Sequence, residues 1–192
     1  MAFEHLRAAY SVEEFKCAAA PVVAVGRIDS MDRFIQHGTT STLDHTLAVS
    51  YYCMAAASRF GMRCAGSGLL RAAILHDYFL YDWHEAGDGS HRLHGFRHPR
   101  FALQNASDDF DLSEIEADAI LHHMFPLVPV PPRHAAGWLI CCIDKLCSLR
   151  ETFVRDPYPE FGKDGPAAFV CGRSRIWAPA DVFARPVEKA VG

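Results

Sequence analysis

The sequence predicts an all-α fold, on three observations. Apolar residues recur at helical spacing along nearly the whole chain, and segments with strand-like alternation are scarce. Ser-x-x-Glu and Ser-x-x-Asp signals also stand in front of several apolar runs, where a helix start needs them. The first such signal, Ser11-Val-Glu-Glu14, opens a helix rich in small residues that ends near Pro21 or Gly26. The stretch "DSMDRFIQ" reads as a short helix stopping at His37-Gly38. Ser41-Thr-Leu-Asp44 caps a second long helix that runs to Gly61. A third covers about 68–81 and empties into the polar loop "DWHEAGDGSHRLHG". His98-Pro99 starts a fourth, with proline in a favoured first-turn position. Ser113-x-x-Glu116 caps a fifth that reaches about Met124. "FPLVPVPP" is an extended connector, and a long helix follows over about 133–153. Beyond Asp156 the pattern weakens into "DPYPEFGKDGPAA" and a short β or helical piece. The organisation is a helical domain over 1–153 with a short irregular C-terminal extension, 154–192.

A chain of 192 residues matches one compact domain and buries a core without disulfide staples. A net charge of −4 with 22% charged residues argues against a nucleic-acid surface, while leaving room for a small anionic ligand. No apolar run reaches the ~18–20 residues that a membrane span needs. The N-terminal stretch carries acidic residues and no continuous apolar segment, so a cytoplasmic location is expected. Seven cysteines without C-x-x-C spacing, most of them in apolar segments, read as reduced, buried thiols. That argues against a disulfide framework and a thiolate zinc site.

Histidine is the unusual component: nine of the eleven lie between residues 37 and 123. Several stand in apolar company, where an unpaired imidazole or carboxylate is costly. His45 lies near the start of the second long helix, and His76-Asp77 lie inside "AAILHDYFLYDWH". His98 opens the fourth helix, His123 ends the fifth, and Asp144 interrupts "LICCIDKLC". Successive separations of 31, 21, 25 and 21 residues each correspond to about one helix and a turn. Each candidate group therefore sits on a different element of one bundle. Imidazole and carboxylate donors without thiolate suit divalent iron, manganese, zinc or similar ions. A carboxylate beside a histidine can bridge two of them through its two oxygens. Adjacent helical residues point about 100° apart, which favours one of His122 and His123 at the site, and His123 is taken as that one.

These residues, in this order, resemble the HD-domain superfamily of metal-dependent phosphohydrolases. The likeness covers roughly residues 35–150. It is strongest in "HGTTSTLDHTLAVS", "LLRAAILHDYFLYDWH", "HGFRHPRFALQNA" and "HHMFPLVPVPP". The resemblance implies an HD-type helical bundle holding one or two divalent metal ions. His45, His76, Asp77 and Asp144 match the four core ligands, and His98 and His123 match the extra pair of dinuclear members. It further implies that Asp77 bridges the ions and that a metal-activated water attacks a nucleotide or other small phosphate ester. Lys145, directly after Asp144, joins Asp77 in the expected catalytic set. His37, Thr39, Ser41, His84 and Arg150 are candidates for substrate contact, with Trp83, His91 and His94 in the overhanging loop. The alternative within the same fold is a di-iron oxygenase cleaving a C–C or C–P bond. Residues 154–192 can cover the pocket or build a homo-oligomeric interface.

Overall fold

The computed structural model describes residues 5–6, 9–66, 68–84 and 93–172. Among them, seven α-helices and one small hairpin follow in order. Helix α1 (Val12–Val23) begins at a complete capping box: Ser11 Oγ accepts from the Glu14 amide, and Glu14 accepts from the Ser11 amide. It runs through Pro21 and buries Phe15, Ala19 and Val23. The expected helix over "DSMDRFIQ" is only a 3-10 segment, Ile28–Arg33. The chain then extends into β1 (Ile35–His37), which pairs antiparallel with β2 (Thr40–Ser41). Gly38, at φ +58°, makes the tight turn, and the Thr42 amide closes the hairpin on the Phe34 carbonyl at 2.8 Å.

Ser41 then caps α2 (Thr42–Arg59), accepting from the Asp44 amide at 3.1 Å while donating to Asp32 at 2.7 Å. Helix α2 is buried along most of its length and is the hub of the bundle, packed by α3, α6 and α7. Helix α3 (Leu69–Leu75) is shorter than its apolar pattern suggests. The chain turns directly after Leu75, with the Tyr78 amide on the Leu75 carbonyl and the Phe79 amide on the Asp77 carbonyl. Leu80 follows in the left-handed region at φ +56°. His76-Asp77 therefore sit on a helix end and not within a helix.

Helix α4 (His94–Asp109) starts one turn before His98, with Pro99 inside it. Helix α5 (Glu114–His122) is capped by Ser113 and Glu116, and α6 (Ala135–Phe153) follows the proline-rich connector. The extension is ordered as far as described: a 3-10 segment, Pro159–Phe161, leads to α7 (Gly165–Cys171). Tyr158, Phe161, Ala167 and Val170 join Leu47, Tyr51 and Ile140 in one hydrophobic core. The Ala167 amide also donates to Asp44 at 2.8 Å, which ties α7 to α2. All seven cysteines are free, but Cys17 and Cys142 are exposed, so not every thiol is buried. Among the described residues, no helix is long and apolar enough to cross a membrane.

Two features tie α3 to α5. Gly68 precedes α3 at φ +78°, and a Cβ there would lie 2.7 Å from Glu116 Cδ. Glu116 cannot move aside, because Arg71 grips both its oxygens at 2.6 and 2.8 Å and Ser113 donates to it as well. Gly68→Ala should therefore cost about 2 kcal/mol or more, from left-handed backbone strain plus overpacking. Urea denaturation measures it.

The Glu116 carboxyl itself also titrates abnormally. Burial would raise its pKa, but hydrogen bonds from Arg71 and Ser113 and the Arg71 charge pull it below the ordinary range. A depressed folded pKa contributes stability above the unfolded value of ~4.3, lost as pH falls through the folded value. Arg71→Met should flatten that acid limb, which is read from denaturation midpoints measured as pH falls.

Candidate metal centre

Six buried side chains from five helices and their ends converge on one point: His45 (α2), His76 and Asp77 (end of α3), His98 (α4), His123 (end of α5) and Asp144 (α6). The Asp77 carboxylate divides them. Its Oδ1 lies 3.1 Å from His98 Nε2 and 3.4 Å from His123 Nε2. Its Oδ2 faces the other way, 3.6 Å from His76 Nε2 and 3.8 Å from His45 Nε2. Asp144 Oδ1 completes the second side, 3.2 Å from His45 Nε2 and 3.7 Å from His76 Nε2. The donor atoms of His45, His76 and Asp144 lie within 4.8 Å of one another, as do those of His76, Asp77 and His123.

Local structure fixes which nitrogen each ring offers. His76 and His123 both sit just past a helix end, and their Nδ1 groups meet carbonyls of the last turn, Ala73 and Ile120, each at 2.8 Å. His98 Nδ1 meets the His94 carbonyl at 3.0 Å. A carbonyl oxygen can only accept, so these Nδ1 atoms carry the hydrogen and the neutral rings turn an Nε2 lone pair inward. His45 is oriented by Glu151, whose carboxylate accepts from Nδ1 at 2.9–3.0 Å. His98 Nε2 and His123 Nε2 thus face each other at 2.9 Å. Two lone pairs at that distance need a cation between or beside them. His76 Nε2 and Asp77 Oδ1 are also buried without a hydrogen-bond partner. Inward lone pairs, anionic oxygens and outer partners that orient the rings are the donor set a divalent ion requires. The residues present fit a metal.

The electrostatics agree. Burial pushes both carboxyls toward neutrality, yet His76 and His98 hold Asp77 well below the usual range, and His45 and His76 do the same for Asp144. Burial also opposes charge on His45, but Glu151 and Asp144 outweigh it and raise its pKa well above that of free imidazole. Charge balance at the cluster thus depends on a cation, proton or metal.

A cleft of about 540 Å³ opens on the cluster. Asp77, His98, His123 and Asp144 form its floor, and Gln36, His37, Trp83, His94, Met124, Lys145 and Ser148 form its walls. Trp83 stacks on His94 (5.0 Å, 12° between planes), which stacks on His98 (4.6 Å, 21°). Lys145 Nζ is held to the His123 and Cys141 carbonyls at 3.0 and 3.1 Å, with Asp144 Oδ2 at 3.8 Å.

Other expected contacts do not line this cleft. The turn at Gly38 carries Thr39 round to a separate cavity of about 180 Å³, shared with Arg155 and Lys163. His84 points outward, bonded to Asp82 and lying on Trp83. Arg150, a turn and a half beyond Asp144 on α6, is absent from the lining, and Ser41 is committed to its cap. His122 turns away to Asp118 at 2.9 Å. His91 lies outside the described residues.

Three participants escaped sequence reasoning. Glu151 orients His45 and is itself held by the Tyr158 hydroxyl. Gln36 donates to Asp77 Oδ2 at 2.6 Å. The readable signal was the seven-residue step from Asp144 to Glu151, two helical turns on one face. Gln36 carried no comparable signal, because its role depends on the hairpin.

The fold and donor set define a helical protein with a buried histidine–aspartate cluster that could hold metal. Compared with known protein families, curated proteins and solved structures, the chain matches none.

Proposed function

We propose that this chain is a metal-dependent phosphohydrolase of the HD type, acting on a nucleotide or other small phosphate ester with one or two divalent cations. The observation that carries the reading is the division of Asp77: each oxygen faces its own set of inward Nε2 atoms. His45, His76 and Asp144 would hold one ion and His98 and His123 the other, with Asp77 shared. Such ions, when bound, lower the pKa of water and neutralise charge on phosphoryl oxygens. The chain's own residues do the rest. Gln36 and Glu151 fix the orientation of Asp77 and His45, so the donors need no rearrangement. Lys145 places a cation on the wall beside Asp144, where an anionic group would enter. Trp83 and His94 stack to form an aromatic part of the same cleft wall.

The test is elemental analysis of protein purified without oxygen or chelator, followed by a phosphate-release screen with the metal found. One to two ions per chain and release from a small monoester or diester are expected. Protein that neither retains nor is stabilised by iron, manganese or zinc overturns the metal reading. Oxygen uptake without phosphate release replaces hydrolysis with the oxidative chemistry.

A further inference from the structure

Helix α6 has a second face that the metal centre does not use. Asp144 and Glu151 point inward, while Trp138, Leu146, Leu149 and Phe153 stand 42%, 44%, 58% and 78% exposed. Cys142 is exposed on the same side. At 100° per residue these five positions fall on one stripe about 80° wide, the geometry of a helix–helix seam. Nineteen residues give the helix a length of about 28 Å.

The stripe is also symmetric. Trp138 and Phe153 are equidistant from the midpoint between Lys145 and Leu146, and so are Cys142 and Leu149. When two copies of this helix cross antiparallel about that midpoint, Trp138 meets Phe153 and Cys142 meets Leu149, twice over. That is the self-complementarity a two-fold interface requires, and an unrelated partner would not require it. Lys145 borders the stripe on the cleft side, and its ammonium is drawn back from the seam to the His123 and Cys141 carbonyls. Trp138 is braced from beneath by Phe125, edge to face at 5.3 Å.

The exposed apolar area is a large share of what a dimer needs. The four large side chains expose on the order of 450 Å² per copy, over half of the ~800 Å² that one partner of a standard interface buries. An apolar patch of this size is comparable with the largest on a typical monomer, and such patches are often functional.

We propose that the exposed face of α6 is a two-fold, antiparallel interface between copies of this chain. Sedimentation velocity of the full chain should show a particle of twice the chain mass that dissociates on dilution. Leu149→Glu, and independently Trp138→Glu, should raise the dissociation constant about 30-fold or more while leaving helicity unchanged. Both sites are exposed, so folding should survive. Register is tested separately: mild oxidation of Leu149→Cys should give a covalent dimer through Cys142 of the partner subunit. That link should vanish when Cys142→Ser is added. A wild-type chain that stays monomeric at high concentration overturns the proposal, as does a dimer insensitive to both glutamates. A dimer in which Leu149→Cys forms no link to Cys142 overturns the antiparallel seam.

Discussion

Asp77→Asn should remove bound metal and abolish turnover while leaving the helical content intact. The amide has the shape of the carboxylate and can still accept from Gln36, so loss of charge is the main change. That charge serves both halves of the cluster, because Oδ1 faces His98 and His123 while Oδ2 faces His45 and His76. Outer partners of metal ligands cost 10–100-fold in affinity when lost, so a shared inner carboxylate should cost well over about 100-fold. Asp77→Ala should do the same with a further loss of packing. The measurement is metal content after gel filtration, paired with circular dichroism. An Asp77→Asn or Asp77→Ala protein with full metal content and activity would sink the assignment of the centre.

The second large effect is expected at Glu151. Its carboxylate accepts from His45 Nδ1 and from the Tyr158 hydroxyl, deep in the core. Glu151→Gln retains one acceptor but removes the negative charge that makes the ring a stronger donor through Nε2. It also brings an NH2 group against one of two hydrogen-bond donors. Metal affinity should fall about 10–100-fold, with a smaller loss in the same direction for Tyr158→Phe. Competition with a chelator of known affinity measures both. Unchanged affinity in Glu151→Gln would reduce Glu151 to a packing role.

How much of this was legible in the sequence depended on whether a property was local or distant. Ser11, Ser41 and Ser113 marked their helix starts because a cap needs only three following residues. The six converging groups were visible as polar residues that apolar helices could not leave unpaired. The end of α3 was not visible, since "HDYFLY" is as apolar as a helix interior. There the turn is set by hydrogen bonds from Tyr78 and Phe79. Tyr78 also donates to Asp109, 31 residues away, and accepts from the Arg27 amide. Thr39 was misplaced for a related reason: one glycine with positive φ decides which side of the hairpin it reaches. Proline misled in both directions: Pro21 was read as a stop and Pro99 as a start, yet each lies inside its helix. Each costs a single helix bond, which tertiary packing of α1 and α4 outweighs.

The long reach of the contacts around His45 has a consequence for biosynthesis. Asp144 and Glu151 stand 99 and 106 residues from His45, and Tyr158 locks Glu151 from further on still. A nascent chain emerging from the ribosome exposes His45, His76 and Asp77 long before their partners on α6 exist. The half-built site would offer loose imidazoles to any passing ion, with neither Asp144 to balance charge nor Glu151 to orient the first ring. A metal taken up by the complete donor set would therefore follow the closing of α6 and α7 on α2.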